Sequence, residues 1–270
     1  MKYRKVILTL FICLFSTFLF SYETQEIKIY SKSMNKSPSA TVVLPKTYGK
    51  TSKKYPVVYI LHGWTNSSSS VTFYTDVEKL ADLYDIILVM PDGGFNKWYF
   101  DSKINSKYQY GTYVGKEVPE YIDKNYKTIK KRSGRAITGY SMGGFGAFNA
   151  GMNYPDTFGN IGSMSGSVDF KVYSTKWNLE KVFGEHKNDG NFWEDIAIKN
   201  NLYKILGQET NIIFGCGTGD EFITINRELH AEMIALNIPH TYIERPGKHE
   251  WAYWKTELEF QLLYFSKYFP

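Results

Sequence analysis

Two uninterrupted apolar runs, Val57–Leu61 and Ile86–Met90, constrain the fold of this chain more than any other feature. A strand that faces solvent on one side alternates apolar and polar residues, whereas a continuous apolar strand is buried on both faces. Similar short runs recur along the sequence, and from the third one onward they alternate with helix-length periodic segments. This alternation is typical of an α/β fold with a mostly parallel central sheet and helices on both faces.

The first two predicted strands follow one another without a helix, which predicts an antiparallel N-terminal edge of the sheet. No linker interrupts the later pattern, so we expect residues 22–270 to form one domain. The predicted strands are Glu26–Ser31, Ala40–Leu44, Pro56–Leu61, Ile86–Met90, Arg135–Gly139, Ile161–Met164, Asn211–Gly215 and His240–Glu244. The predicted helices are Val71–Leu83, Gly115–Asn125, Met142–Met152, Asn191–Asn201, Glu221–Leu236 and Trp251–Phe269.

The composition excludes several classes of protein. With 43% hydrophobic and 22% charged residues over 270 positions, the chain can bury one large core and is not typical of a disordered protein. Its two cysteines, Cys13 and Cys216, are too few for a disulfide framework or a four-thiolate metal site. The formal net charge of +5 is the one indication of nucleic-acid binding.

The first 21 residues have the organisation of a secretory signal peptide. Basic residues within Met1–Lys5 precede an apolar stretch, Val6–Phe20, that is shorter than the roughly 20 residues a membrane-spanning helix needs. Cleavage near Ser21 would give a secreted or periplasmic chain without a stable membrane anchor. An uncleaved signal that tethers the chain to a membrane is the alternative. Because three basic residues leave with the signal, the formal charge falls from +5 to +2, and we expect no nucleic-acid partner.

The segment Gly139–Gly144 contains the pattern Gly-x-Ser-x-Gly centred on Ser141. It follows one predicted strand and opens the predicted helix Met142–Met152, which is the strand–turn–helix setting of a nucleophile elbow. The sharp turn holds the serine hydroxyl above the sheet, and larger residues in place of the flanking glycines would clash. We therefore predict that Ser141 is a catalytic nucleophile.

A serine nucleophile needs a general base, and the position of His249 favours it among the five histidines. It lies after the last predicted strand, where the ends of parallel strands converge with the elbow. Asp220, which follows the preceding strand, is the predicted acid that orients the histidine; Glu221 and Asp169 are the alternatives. The order Ser141, Asp220, His249 is the order found in α/β-hydrolases.

An oxyanion intermediate needs two backbone donors near the nucleophile. We expect one to be the N–H of Met142 and the other to come from Gly63 or Trp64, in the loop after the third predicted strand. His62 is interpreted as a residue that positions this loop. Aromatic residues make up 17% of the chain, and those in loops are candidates for an acyl or sugar pocket. The predicted substrate contacts are Trp98, Tyr99, Trp177 and Trp251.

These segments resemble the putative-esterase family of α/β-hydrolases, which includes esterase D and S-formylglutathione hydrolase, tributyrin esterase, and feruloyl and acetyl esterase domains. The resemblance covers nearly the whole mature chain. It implies the same nucleophile, acid and base, and Lys248 departs from the glycine that many relatives carry beside the base. The matching segments are Leu61–Gly63, Val89–Gly93, Trp98–Tyr99, Gly139–Gly144, Gly217–Asp220 and Gly247–Trp251 with Trp254.

The resemblance implies a carboxylesterase that hydrolyses feruloyl, acetyl or short-acyl esters through an acyl-enzyme intermediate, and the predicted signal peptide implies that it is secreted. Its substrate would be a small-molecule or polysaccharide-linked ester, and this chemistry needs no metal or organic cofactor. An acyltransferase and a thioesterase similar to S-formylglutathione hydrolase are alternatives on the same scaffold. A non-catalytic carbohydrate-binding protein is a more remote alternative.

Overall fold

The computed structural model describes residues 23–173, 176–177, 179–183 and 190–270. The predicted signal peptide, residues 1–21, lies outside the described residues. Among those described, no helix is both long enough and apolar enough to cross a membrane. The strands are β1 (Glu23–Lys28), β2 (Ser39–Leu44), β3 (Val57–Leu61), β4 (Ile87–Pro91), β5 (Arg135–Gly139), β6 (Asn160–Met164), β7 (Asn211–Gly217) and β8 (Thr241–Arg245).

Helices connect most of these strands, and one long helical segment contains a π-helical turn at Tyr113–Glu117. Short 3₁₀ turns occupy Arg132–Gly134, Lys171–Tyr173 and Ile198–Ile205. The α-helices are α1 (Ser70–Tyr74), α2 (Val77–Tyr84), α3 (Tyr110–Thr112), α4 (Val118–Asn125), α5 (Met142–Asn153), α6 (Glu180–Phe183), α7 (Gly190–Ile196), α8 (Ile223–Ala235) and α9 (Trp251–Ser266).

In the described part of the chain, the eight strands form a single sheet in the order β1-β2-β4-β3-β5-β6-β7-β8. Strand β2 pairs antiparallel with both β1 and β4, and the other neighbours are parallel. Helices α2 and α9 cover one face, while α4, α5 and α8 cover the other. The predicted fold, a mostly parallel sheet with an antiparallel N-terminal edge, is therefore confirmed.

The apolar run in β3 shows why a two-sided core needs continuous apolar strands. Val57, Tyr59 and Leu61 pack into the core on one face, whereas Val58 and Ile60 pack into the core on the other. Successive side chains of a strand point to opposite faces, so every position of this strand is buried.

One predicted helix, Val71–Leu83, is two helices in the structure. Thr75 has an extended backbone, with φ −137° and ψ 164°, and this separates α1 from α2. Its hydroxyl donates a hydrogen bond to the carbonyl of Val71 at 2.7 Å. The Thr75 N–H donates to the same carbonyl at 3.0 Å, and such back-bonding by a threonine hydroxyl slightly destabilises and often bends a helix.

The strand order places the ends of β3, β4 and β5 together. The chain runs from β3 to β4 on one side and then crosses to β5 on the other side of β3. In open α/β sheets, ligands bind outside the carboxyl ends of the strands, where the strand order reverses. The loops that follow β3 and β5 therefore meet at the position expected for a functional site.

Candidate active site

Ser141 sits in a strained turn between β5 and α5. Its backbone has φ +57° and ψ −120°, a conformation that non-glycine residues adopt at a cost. A Cβ on Gly143 would collide with the carbonyl of Leu61, and a Cβ on Gly139 would lie 2.6 Å from the same oxygen. The two glycines are thus required because the turn packs directly against the end of β3.

The structure brings Ser141, His249 and Asp220 into one hydrogen-bonded chain. The Ser141 hydroxyl donates to His249 Nε2, with 2.8 Å between Oγ and Nε2. His249 Nδ1 donates to the Asp220 carboxylate, at 3.1 Å from Oδ1 and 3.0 Å from Oδ2. Both bonds require the imidazole tautomer with its hydrogen on Nδ1, which leaves Nε2 free to accept a proton from the serine.

The His249 ring is fixed by neighbours on two sides. Phe222 and Trp254 each contact it edge-on, with ring centroids 4.9 Å away and planes at 88°. The backbone loops that carry the acid and the base are also joined, because the Gly219 N–H donates to the Gly247 carbonyl at 2.9 Å. Fixed neighbours of this kind limit the rotation of the imidazole and keep Nε2 directed at Ser141.

Asp220 is ionised although it is buried. Burial alone would raise the pKa of its carboxyl group, but the hydrogen bond and the charge of His249, together with the N–H of Phe222, lower that pKa below its ordinary value. The Phe222 N–H donates to Asp220 Oδ1 at 2.9 Å. A buried carboxylate that accepts several hydrogen bonds is held in its charged form.

The two alternative acids lie elsewhere. Asp169 forms an ion pair with Lys199 at 3.1 Å and accepts a hydrogen bond from the Lys171 N–H. Glu221 is exposed at the rim of the cavity that contains Ser141. Of the three candidates, Asp220 alone hydrogen-bonds the histidine among the described residues.

The predicted oxyanion loop lies against the nucleophile. A Cβ on Gly63 would be 3.4 Å from the Cβ of Ser141, and both Gly63 and Trp64 line the same cavity. Met142 is the first residue of α5, and the N–H groups of a first helical turn have no partner within the helix. The residues predicted to supply the oxyanion donors, Gly63, Trp64 and Met142, are thus neighbours of Ser141.

His62 fixes the position of this loop through two hydrogen bonds to backbone groups. It is buried, its Nδ1 donates to the Gly63 carbonyl at 2.8 Å, and its Nε2 accepts from the Gly93 N–H at 2.9 Å. Both ring nitrogens are thus occupied by backbone groups. His62 therefore links the loop after β3 to the loop after β4.

Ser141 opens into a cavity of about 310 Å³ with a mainly aromatic wall, which we call the aromatic cavity. The predicted contacts Trp98, Trp177 and Trp251 line it, together with Trp64. Trp98 and Trp177 both have positive φ, at 56° and 58°, so their backbones are strained where they border the cavity. The full wall consists of Gly63, Trp64, Asn66, Trp98, Tyr140, Ser141, Trp177, Glu221, Phe222, His249, Trp251 and Trp254.

The prediction that Tyr99 contacts substrate requires correction. Tyr99 has no exposed surface, does not line the aromatic cavity, and donates from its hydroxyl to the His62 carbonyl at 3.1 Å. Its ring packs against Gly93 and Gly146, where a Cβ would overlap it. The side chains of adjacent residues in an irregular loop can point to different sides, so the sequence did not show that Trp98 lines the cavity and Tyr99 does not.

Sequence reasoning also missed Phe222 and Asn66 as cavity residues. Phe222 lies two positions after Asp220, and this closeness in sequence to the predicted acid could have indicated that it lines the cavity. Asn66 accepts a hydrogen bond from the Tyr140 hydroxyl at 2.7 Å, which no sequence pattern indicated. Among the residues the structure describes, no three His, Cys, Asp or Glu side chains are grouped as ligands for a metal ion.

Comparisons with known proteins show the family and the fold of this chain. Residues 31–265 match the family model described as Putative esterase. An acetyl esterase from Caldicellulosiruptor saccharolyticus is 27% identical over 248 residues, which cover 85% of this chain and 92% of that protein. Esterase Rv1288 from Mycobacterium tuberculosis is 28% identical over 239 residues, covering 79% of this chain but about half, 52%, of that protein.

A solved structure described as a ferulic acid esterase has the same fold. It is 26% identical, superposes with a TM-score of 0.80, and the match covers 93% of this chain and 99% of that one. The similarity in fold therefore extends over nearly the whole chain.

Proposed function

The chain belongs to the putative esterase family of ester-bond hydrolases, and from this premise we propose that it is a secreted serine carboxylesterase. The observation that carries the proposal is the hydrogen-bonded chain from Ser141 through His249 to Asp220. In this assignment Ser141 is the nucleophile, His249 the general base and Asp220 the residue that orients the base and stabilises its charged form.

The reaction proceeds through two acyl transfers. Ser141 Oγ attacks the ester carbonyl while His249 Nε2 takes the hydroxyl proton, and the N–H groups of Met142 and of Trp64 or Gly63 stabilise the oxyanion. When the C–O bond breaks, His249 returns the proton to the leaving alcohol and the acyl group remains on Ser141. Water then repeats the sequence, releases the acid and restores the serine.

The wall of the aromatic cavity supports an aromatic or short acyl group. The rings of Trp64, Trp98, Trp177 and Trp251 line this cavity, and aromatic rings pack well against other rings and against short apolar groups. We therefore propose acyl groups of the feruloyl or acetyl type, as the names of the acetyl esterase and ferulic acid esterase relatives indicate for those proteins.

Replacing the nucleophile tests the proposed reaction. Ser141→Ala should lower the rate of p-nitrophenyl acetate hydrolysis on the order of 10⁶-fold, because the acyl-enzyme cannot form. A fluorophosphonate should label the unmodified protein at Ser141 and leave the variant unlabelled. Circular dichroism of both proteins controls for folding. Undiminished hydrolysis by the folded variant would contradict the assignment.

Two further measurements distinguish the alternatives. An added sugar acceptor that yields acylated sugar in place of free acid would indicate an acyltransferase, and a preference for S-formylglutathione over methyl ferulate would indicate a thioesterase.

For the proposed export, the sequence of the N-terminus of the exported protein should start near residue 22. Recovery of the full-length chain in the membrane fraction would instead support an uncleaved signal.

A further inference from the structure

The end of the sheet opposite Ser141 carries a concentration of positive charge. The segments 46–54 and 124–132 together contain nine of the chain's 32 basic residues and no acidic residue. The first segment ends shortly before β3, and the second ends shortly before β5. Because β3 and β5 are parallel and Ser141 follows β5, both segments lie at the other end of these strands from the nucleophile. We call this the basic surface, and its residues are Lys46, Lys50, Lys53, Lys54, Lys124, Lys127, Lys130, Lys131 and Arg132.

Hydrogen bonds join the two segments, which are far apart in the sequence. The Tyr55 N–H donates to the Lys127 carbonyl at 2.8 Å, and the Ile129 N–H donates to the Tyr55 carbonyl at 2.9 Å. The Lys127 N–H also donates to the Tyr48 hydroxyl at 3.1 Å, and Lys127 Nζ donates to the Thr51 carbonyl at 3.2 Å. The lysines of both segments therefore belong to one continuous surface.

Much of this charge is accessible to a partner. All eight lysines of the basic surface are exposed, and Arg132 is half-buried because its guanidinium donates to backbone carbonyls. Lys46 forms an ion pair with Asp82 at 2.8 Å. Lys53 forms an ion pair with Asp85. The lysines of this surface whose ammonium groups have neither an ion pair nor a hydrogen bond among the described residues are Lys54, Lys124, Lys130 and Lys131.

The side chains of the basic surface suit a broad anionic partner. Eight of its nine cations are lysines, whose hydrated ammonium groups act as point charges, whereas arginine makes directed, bidentate contacts. Within the two segments, which the structure describes in full, no large apolar side chain is exposed for insertion into a lipid interior. Attachment is therefore electrostatic, reversible and sensitive to salt. Each lysine near an anionic lipid surface strengthens such binding about fivefold.

The start of β1 lies beside the basic surface. Glu23, the first residue of β1 and an exposed acid at the margin of this surface, pairs with Leu44, which shortly precedes segment 46–54. The Tyr126 hydroxyl donates to Gln25 Oε1 at 3.0 Å, and this bond joins β1 to the other basic segment. Because the predicted signal peptide directly precedes β1, an exported chain is attached to the membrane at this end of the sheet until the signal is removed. The basic surface is thus on the side of the protein where the chain joins the membrane.

We propose that the basic surface docks the exported protein on the anionic phospholipid headgroups of the membrane that it has crossed. This inference rests on the proposed export and goes beyond the esterase function. Lipid phosphate groups pair with the exposed ammonium groups, and β3 and β5 then run away from the membrane toward Ser141. The aromatic cavity therefore opens away from the lipid and stays accessible to soluble substrates.

Vesicle binding tests the proposal with two double variants that remove the same charge. The exported protein should sediment with vesicles that contain phosphatidylglycerol but not with vesicles of phosphatidylcholine alone, and high salt should release it because salt screens the charges. Lys130→Gln with Lys131→Gln should lower the partition onto the anionic vesicles about 20-fold, at about fivefold for each lysine. Lys103→Gln with Lys107→Gln is the matched control and should leave the partition unchanged, because both lysines are exposed after β4, at the Ser141 end of the sheet.

Three results would overturn the proposal. These are equal losses in the two double variants, equal binding to both kinds of vesicle, and no binding to the anionic vesicles. Retention on immobilised heparin without binding to vesicles belongs to the third result and would indicate an anionic polymer as the partner.

Two further measurements test the orientation and separate docking from catalysis. Vesicle-bound protein should hydrolyse p-nitrophenyl acetate as fast as the free protein, and a loss of activity on binding would contradict the proposed orientation. The Ser141→Ala protein should bind the anionic vesicles as tightly as the unmodified protein does. A failure of hydrolysis with binding intact would thus refute the esterase function alone, and hydrolysis without binding would refute the docking alone.

Discussion

Two buried carboxylates, those of Asp220 and Glu257, have pKa values that are shifted in opposite directions. Asp220, after β7, is 3% exposed, while Glu257, on α9, has no exposed surface. Hydrogen bonding and the charge of His249 keep the pKa of Asp220 below its ordinary value, whereas burial raises the pKa of Glu257 to about 7. Burial raises the pKa of both groups, and at Asp220 the hydrogen bonds and the charge of His249 outweigh that effect.

The neighbours of Glu257 explain the difference. Its nearest cation is Arg245, whose Nε lies 3.5 Å from Oε2, and in the described part of the chain neither carboxylate oxygen has a hydrogen-bond donor in good geometry. The Arg245 guanidinium is instead engaged above the Tyr253 ring, 3.8 Å from its centroid, and donates to the Tyr253 carbonyl. Arg245 ends β8 and Tyr253 lies in the first turn of α9, so this contact holds both ends of the segment that contains His249.

Of the variants that compare the two carboxylates, the one that removes the charge of Asp220 should have the largest effect. Asp220→Asn should lower kcat for p-nitrophenyl acetate by about 10⁴-fold, because an amide can hold the imidazole in the wrong tautomer and cannot stabilise its charged form. Glu257→Gln is the matched control and should lose less than tenfold. Comparable losses in the two variants would contradict the distinction between the two carboxylates.

The second prediction concerns stability as a function of pH. Glu257 has a raised pKa in the folded state, so the folded protein binds more protons than the unfolded chain between about pH 4.5 and 7. The free energy of unfolding should therefore fall by about 3 kcal/mol from this group as pH rises through that interval. Urea titrations at pH 5 and pH 8 measure the fall, and Glu257→Gln should reduce it.

The contribution of Asp220 to the free energy of unfolding changes with pH in the opposite direction. Its pKa is lowered on folding, so its contribution to stability is present above the ordinary aspartate range and is lost as pH falls through the folded-state value. Asp220→Asn should therefore reduce the acid-side loss and leave the fall between pH 5 and 8 in place. If the free energy of unfolding still falls between pH 5 and 8 in Glu257→Gln but not in Asp220→Asn, the raised pKa belongs to Asp220 and the assignment made here is wrong.

The smallest expected effect concerns the partner of Glu257. Arg245→Met should lower the free energy of unfolding at pH 8 by about 2 kcal/mol, because it leaves a buried carboxylate without a nearby cation. The Arg245 side chain is 23% exposed, so we expect less than for a fully buried pair. Adding Glu257→Gln should recover most of the loss. A double variant that loses the sum of both single effects would show that the two side chains do not interact.

Much of the fold was predictable because its signals are local. The continuous apolar runs of β3 and β4 indicated strands buried on both faces, and the absence of a helix between β1 and β2 indicated the antiparallel edge. The single predicted helix over Val71–Leu83 was wrong at Thr75, where a side-chain hydrogen bond ends α1. Periodicity alone does not report a hydroxyl that satisfies a backbone carbonyl.

The site was predictable in part for the same reason. Gly139 and Gly143 are needed at the turn around Ser141, and that need is visible in the sequence because it depends on neighbours in the chain. Asp220 was the predicted acid, with Glu221 and Asp169 as alternatives because each of them also follows or borders a strand. Only the hydrogen bonds of His249 distinguish them, and those bonds depend on how β7 and β8 pair.

The sequence by itself determined the order of strands and helices, the strained turn at Ser141 and the residue types available at the ends of the strands. These follow from short-range sterics and from the need to bury apolar side chains. Only the tertiary structure decided which residues meet across the chain: Ser141 and His249 are 108 positions apart, and the Tyr140 hydroxyl hydrogen-bonds Asn66 across 74 positions. The physical reason is that such contacts depend on the order of strands in the sheet, which no local pattern of residues encodes.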